Sequence, residues 1–226
     1  RQFMAPAPDA ILKQLVARGD ITPEQAEIAA SVPVALDITA EADSGGHTDN
    51  RAAGPLFSSL VQARREVCET HSLNADEIRI GLGGGIGTPW AAAAAFQMGA
   101  AYIITGSVNQ AAAESGLSLA GRKLLADAGP ADVAMAPAAD MFEQGVEVQV
   151  LKRGTLFAMR GRRMREIYKT RNGFADCTAQ EQAFIETALG ETYASAWEKT
   201  RAFMAGTNPK ELEKAEADLR HQLALV

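Results

Sequence analysis

Basic charge is the first thing this sequence has too little of: 22 Lys and Arg stand against 28 Asp and Glu, for a net charge of −6 and a pI near 5.2. Nucleic-acid footprints are basic, so nucleic acid is not expected as the main partner. Cysteine is nearly missing as well. Cys68 and Cys177 lie far apart with no CxxC, which excludes a disulfide framework and a cysteine-built zinc site and suits a reducing cytoplasm. Long apolar runs are absent too. The longest uncharged stretch, Ile80 to Gln110, is broken by glycines and Pro89, so it is neither a transmembrane helix nor a signal peptide, and a soluble protein with no membrane partner is expected. Two phosphate motifs are also missing. With Gly81 and Gly83 in the first two places of G-x-G-x-x-G the third falls on Ile86, and no G-x-x-x-x-G-K-[ST] occurs.

What is present, in 226 residues with 47% hydrophobic content, can bury one sizeable core or a domain with an appendage. The chain is organised around residues 79–107. Ile78, Ile80 and Leu82 suit a short buried strand. Thr88-Pro89 is a helix cap followed by the proline favoured at the first helical position, and Ala91 to Met98 is strongly helix-forming. Gly99 ends that helix, and Ala101 to Ile104 starts a second apolar strand, so parallel strands joined by a crossover are expected. Each strand runs into glycine just before a helix: Gly84, Gly85 and Gly87 after the first, Gly106 and Ser107 after the second. Backbone N–H groups then converge at the carboxyl end of the sheet, which makes an anion site, most simply for phosphate. The loops after the last two strands of a (β/α)8 barrel hold phosphate in this way. A plainer reading gives the glycines only tight turns, and Ser107 with Gln110 only a capping box.

A second chemical stretch, Glu41 to Asn50, follows the apolar run Val32 to Ile38. Gly45 and Gly46 allow a tight turn and present the His47 imidazole just past a strand end, where α/β active sites lie. Glu41, Asp43 and Asp49 with one histidine form no specific metal-ligand pattern.

Elsewhere the patterns are helical. Residues 4–31 read as a local helical pair, stopped first at Gly19 and reopened by the capping box Thr22-Pro23-Glu24-Gln25. Residues 55–73 place Phe57, Leu60, Val61, Val67 and Cys68 on one face. Cys68 is then a small buried apolar residue. Further strands are expected near 33–38 and 132–136, and more weakly at 146–150. Residues 152–171 hold eight Lys and Arg against Glu166, a local excess that suits an anionic partner or a solvated helix face. Thr178-Ala-Gln-Glu181 caps a helical C-terminal region in which His221 reads as a surface residue. Too few strands are visible for a whole barrel, and the chain starts at Arg1 without methionine, so a piece of a longer polypeptide is expected.

Taken together, Glu41-Ala-Asp-Ser-Gly-Gly-His-Thr-Asp-Asn50, Gly84-Gly-Ile-Gly-Thr-Pro89, Thr105-Gly-Ser-Val-Asn-Gln110, Met135-Ala-Pro-Ala-Ala-Asp-Met-Phe-Glu143 and Val148-Gln-Val-Leu-Lys-Arg-Gly-Thr155 closely resemble the PfaD-type proteins. These are trans-acting enoyl reductases of polyketide and polyunsaturated fatty acid synthases, in the nitronate monooxygenase superfamily. The resemblance implies an α/β fold that is the C-terminal part of an FMN-binding (β/α)8 TIM barrel with an extra helical region. Residues 1–150 would be the barrel portion, with the helical insertion at 4–31, and 151–226 the basic segment and helical region. It further implies that Gly84, Gly85, Ile86 and Gly87 form one half of the FMN phosphate cradle and Thr105, Gly106 and Ser107 the other. Gly45 and Gly46 would lie against the flavin, and His47 would be the catalytic histidine. Leu82-Gly83 departs from the family, where alanine is usual.

The activity so implied is hydride transfer from NADPH through FMN to an enoyl thioester on an acyl carrier protein. His47 would supply a proton or a hydrogen bond. Because carrier proteins are acidic, residues 152–171 would dock the carrier, with Arg162 and Arg163 the positions to test. A homo-oligomer is compatible with this. A flavin monooxygenase acting on nitronates and a non-catalytic barrel module in a synthase are the alternatives.

Overall fold

The computed structural model describes residues 1–226, which separate into two compact units, Arg1–Asp127 and Ala128–Val226. In the first, three parallel strands, β1 (Asp37–Glu41), β3 (Arg79–Gly83) and β4 (Ile103–Ile104), lie in the order β1-β3-β4. A two-residue strand, β2 (Gly46–His47), sits in the loop after β1. The register sets Glu41 opposite Gly83 and Gly83 opposite Ile104, so all three strands finish level with one another. Their carboxyl ends therefore share one edge.

Local chemistry explains the connecting helices. Helix α4 (Pro89–Gln97) begins at Thr88, whose Oγ1 accepts the Ala91 N–H, with proline in the first position as the sequence predicts. It ends before Gly99, whose φ of +95° suits glycine. Helix α3 (Ala53–His71) buries Phe57, Ala63, Val67 and Cys68 in a core shared with Ile78, Ile80, Leu82 and Ala95. The N-terminal pair is α1 (Asp9–Arg18), closed by Gly19 in the left-handed region, and α2 (Pro23–Ala29), opened by a complete Thr22/Gln25 capping box. Helices α5 (Ser107–Ala111) and α6 (Leu119–Ala126) complete this unit.

Three expectations are corrected here. The strand read at 33–38 begins only at Asp37: Val32, Val34 and Leu36 are 43%, 52% and 49% exposed, and Val34 and Ala35 donate N–H bonds to the Ala5 and Phe3 carbonyls. Hydrophobicity marked the run, but pairing with β3 chose the strand. The strand read at 101–107 is trimmed to Ile103–Ile104. Ser107 is the first helical residue of α5, after Gly106, and forms no capping hydrogen bond. The α/β character expected is present, as three parallel strands in one unit and an antiparallel pair in the other; these strands do not by themselves make a closed barrel.

The second unit pairs β5 (Val133–Pro137) antiparallel with β6 (Glu147–Leu151). Helix α7 (Phe157–Thr170) packs on β5, with Arg162 donating to the Met135 carbonyl at 2.7 Å. Helices α8 (Ala179–Leu189), α9 (Tyr193–Thr207), α10 (Pro209–Ala217) and α11 (Leu219–Leu225) follow, gathered on Ile167, Cys177, Ile185 and Tyr193. Phe174 stacks on Tyr193 at 4.2 Å between ring centroids. Glu181 closes the Thr178 capping box and receives a bidentate bond from Arg171, at 2.8 and 3.1 Å. Those Arg171 bonds, with the Thr178 N–H, hold the Glu181 carboxyl at about 2, against an ordinary 4.5.

His221 is not the surface residue expected. Its Nδ1 lies 2.7 Å from Glu143 and its Nε2 2.8 Å from Glu211, and its side chain is only 11% exposed. Glu143 also accepts from the Tyr168 hydroxyl at 2.9 Å, so α11 is tied back to the loop after β5.

Two stability outcomes are expected. A Cβ on Gly81 would overlap the Tyr102 ring, whose hydroxyl lies 2.9 Å from Thr39 Oγ1, whereas one on Gly83 would make ordinary contacts at 3.5 Å and beyond. Gly81→Ala should therefore cost ~1–3 kcal/mol in urea unfolding, and Gly83→Ala should be neutral or stabilise by up to ~1 kcal/mol. Equal effects would show that Tyr102 does not fill the space over Gly81. For Glu181, a depressed folded pKa means that its contribution is complete above about 4.5 and is lost as pH falls towards about 2. The Tm gap between wild type and Glu181→Gln should be widest near neutrality and close over that acid window; a gap independent of pH would show that the ion pair contributes nothing.

Candidate functional site

Three loops meet at the carboxyl edge of the parallel sheet. The first, after β1, is held by Thr48, whose Oγ1 accepts the N–H of Ser44 at 3.2 Å and of Asn50 at 3.1 Å and donates to Asp43 at 3.4 Å. Ser44 donates in turn to Glu41 at 3.2 Å, and the Asp43 N–H reaches the Arg51 carbonyl at 2.9 Å. Glu41 and Asp43 thus act as acceptors that shape the loop. On it stand Gly45, Gly46, with φ of +89°, and His47, which is exposed at the end of the turn.

The second loop follows β3. The Ala42 N–H donates to the Gly83 carbonyl at 2.9 Å, continuing the ladder one step beyond the strands, and this draws the two chains together at Gly84. A Cβ on Gly84 would sit 2.5 Å from the Ala42 carbonyl oxygen, and its φ is +88°. Both the space and the backbone conformation require glycine. Gly85 is also left-handed, at +70°. The amide N–H groups of Gly84, Gly85 and Ile86 find no acceptor in the chain, while Gly87 donates to the Gly85 carbonyl at 3.0 Å. Unspent amides on a left-handed turn ahead of a helix suit an anion.

The third loop carries Thr105, Gly106 and Ser107. Thr105 Oγ1 donates to Asn109 at 3.1 Å and the Asn109 amide donates back to the Thr105 carbonyl at 2.8 Å, so Thr105 orders this turn through its side chain. Ser107 Oγ lies 3.0 Å from the place a Cβ on Gly45 would occupy, which puts the first loop directly against the third. Gly45, Gly84 and Ser107, predicted from separate motifs, are thus brought into one locus with their neighbours. Ile86 is half-buried and packs on the core below.

The basic segment needs revision. Arg162 and Arg165 donate to the Met135 and Phe142 carbonyls, Arg163 pairs with Glu166, Arg153 with Asp132 and Arg171 with Glu181. Arg162 is therefore also a structural ligand of β5, although its guanidinium keeps its charge. Lys152, Arg160 and Lys169 form no ion pair within the chain. Sequence reasoning missed this division because a charge count does not register carbonyl acceptors. No helix is long and apolar enough to cross a membrane.

Comparison with known proteins adds a relationship to this geometry. The chain is 42% identical over 227 residues to a polyunsaturated fatty acid synthase subunit of a Thraustochytrium species, covering 99% of this chain and 15% of that protein. It is 38% identical to the polyketide biosynthesis protein PksE of Bacillus subtilis, covering 99% of this chain and 29% of that one. The solved enoyl reductase domain of MlnA, from the macrolactin biosynthesis cluster of Bacillus amyloliquefaciens, matches with a TM-score of 0.86 at 35% identity, over 99% of this chain and 49% of that one. Residues 172–226 match the family described as the inserted helical domain of [acyl-carrier-protein] S-malonyltransferase. This chain spans less than a third of the length of either curated relative. The resemblance read from the sequence motifs is upheld: the relatives are synthase subunits and polyketide proteins, and the solved neighbour is an enoyl reductase domain, as for PfaD-type proteins.

The contact between the first and third loops can be tested without a ligand. Gly45→Ala should destabilise by ~1 kcal/mol or more through crowding of Ser107, and Gly45→Ala/Ser107→Gly should recover most of it in a double-mutant cycle. Strictly additive effects would show that the two loops do not touch.

Proposed function

We propose that this chain forms part of an FMN-dependent, NADPH-consuming enoyl reductase. It would act in trans on enoyl thioesters of acyl carrier protein in polyketide or polyunsaturated fatty acid synthesis. The observation that carries this reading is the likeness to the MlnA enoyl reductase domain along nearly the whole chain, at 35% identity. The convergence of three glycine-bearing loops supports it locally, since a cradle that admits no Cβ at Gly84 and leaves three amides unspent fits a phosphate. When bound there, FMN would supply the hydride chemistry, taken from NADPH and passed to the substrate β-carbon.

This chain's own residues do the rest. Gly84, Gly85 and Ile86 on one side, in a turn closed by the Gly87 N–H, with Gly106 and Ser107 on the other, hold the phosphate through backbone N–H groups and the Ser107 hydroxyl, while Thr105 keeps its turn in shape. Gly45 and Gly46 keep the first loop thin so that a flat ring can approach it. His47, exposed at the end of that loop, delivers a proton to the α-carbon or a hydrogen bond to the thioester carbonyl as negative charge develops there. Lys152 and Lys169 are charges available to an acidic carrier.

The test uses the purified full-length protein. Flavin bands should bleach under anaerobic NADPH and return on adding a crotonyl thioester. His47→Ala should keep the flavin spectrum and lower turnover ~100- to 10,000-fold. A colourless protein that FMN cannot reconstitute would overturn the reading in favour of an assembly module, and flavin reoxidised only by oxygen with a nitronate would overturn it in favour of a monooxygenase.

A further inference from the structure

We propose that the second unit holds a chamber for the hydrocarbon chain of an acyl thioester, with Arg160 binding the thioester carbonyl while the acyl group is held there, as a binding event separate from its reaction at His47; this rests on the thioester reading above. A cavity of about 520 Å3 opens between α7, α8 and the end of α11, a size within the ~300–1,000 Å3 usual for small-molecule sites. Met164 and Tyr168 of α7, Ala188 and Leu189 of α8, and Leu223 give it apolar walls. Phe157, Gly161, Met164 and Tyr168 recur along one face of α7, a stripe hidden in the sequence by the arginines between them.

The two tyrosine hydroxyls at the wall are already partnered. Tyr168 donates to Glu143 at 2.9 Å, and the Tyr193 hydroxyl lies 3.3 Å from Gln222 Oε1. Arg160 is the one charged side chain of the lining, and it forms no ion pair within the chain. A sugar or nucleotide would leave several of its polar groups unmatched in such a place, at a cost for each. A run of methylenes ending in one strong acceptor leaves none unmatched. An apolar cavity is also poorly filled by water, which favours an apolar guest.

Calorimetric titration of the full-length protein with saturated S-dodecanoyl- and S-butanoyl-N-acetylcysteamine tests this. Each methylene buried should improve affinity about fourfold, so burying even half of the eight extra methylenes should make the longer thioester bind about 100-fold tighter or better. Ala188→Trp should reduce the dodecanoyl ligand to the butanoyl level, Ala188→Leu should do so in part should the tryptophan unfold the protein, and Arg160→Gln should weaken both ligands by a similar factor. Equal affinities for the two thioesters, or a preference that survives Ala188→Trp in folded protein, would overturn the chamber. The titration needs no turnover, so a chain-length preference without NADPH-dependent crotonyl reduction would sink the reductase and leave the chamber standing.

Discussion

The approach of Gly84 to the Ala42 carbonyl is the constraint on which the candidate site depends. The parallel ladder aligns Glu41 with Gly83, and the extra bond from the Ala42 N–H to the Gly83 carbonyl carries the two chains together past the strand ends. No side chain fits between them. The chain after β3 therefore turns through two left-handed glycines before Thr88 starts the next helix, and this turn leaves the amides of residues 84–86 unspent. A looser approach would admit alanine, permit an ordinary turn and let those amides bond within the chain. Close packing and anion-binding capacity are thus one feature, not two.

Where sequence and structure agree, the signal was local and chemical. Thr88-Pro89, Thr22 with Gln25, and Thr178 with Glu181 act at the helix starts that their chemistry demands. The glycine turns fall at strand ends because only glycine takes those φ values cheaply. What escaped was tertiary. An apolar run at 32–36 looked like a strand, yet pairing selected the more polar Asp37–Glu41, whose neighbours on β3 were available. His221 reads as solvated in one dimension and is clamped by Glu143 and Glu211 in three, partners separated from it by 78 and 10 positions. The contact between Gly45 and Ser107 could be suspected only because both lie just past parallel strands.

The arginines of α7 show how charge and structure divide one helix. Carbonyls outside the helix claim Arg162 and Arg165, which fix α7 against β5 and the loop that follows it, whereas Arg163 pairs with Glu166 within α7. Arg165 also lies over the Phe142 ring at 5.7 Å, adding a cation–π contact. Their removal would first be felt as lost packing. A positive field remains, because carbonyl acceptors leave the charges of Arg162 and Arg165 in place and only Arg153, Arg163 and Arg171 are offset by carboxylates.

The helical segment 172–226 holds its polar groups in fixed contacts. Within this chain its reactive groups are committed. Burial pushes the Cys177 thiol up, away from the thiolate that nucleophilic chemistry needs, and the thiol lies 3.5 Å from the Gly173 carbonyl. Burial likewise raises the Tyr193 hydroxyl to about 12. Glu181 is held by Arg171, and His221 by two carboxylates. Groups held in this way build a rigid wall. The loops at the sheet edge differ from it: there backbone amides are unspent and the His47 side chain is exposed.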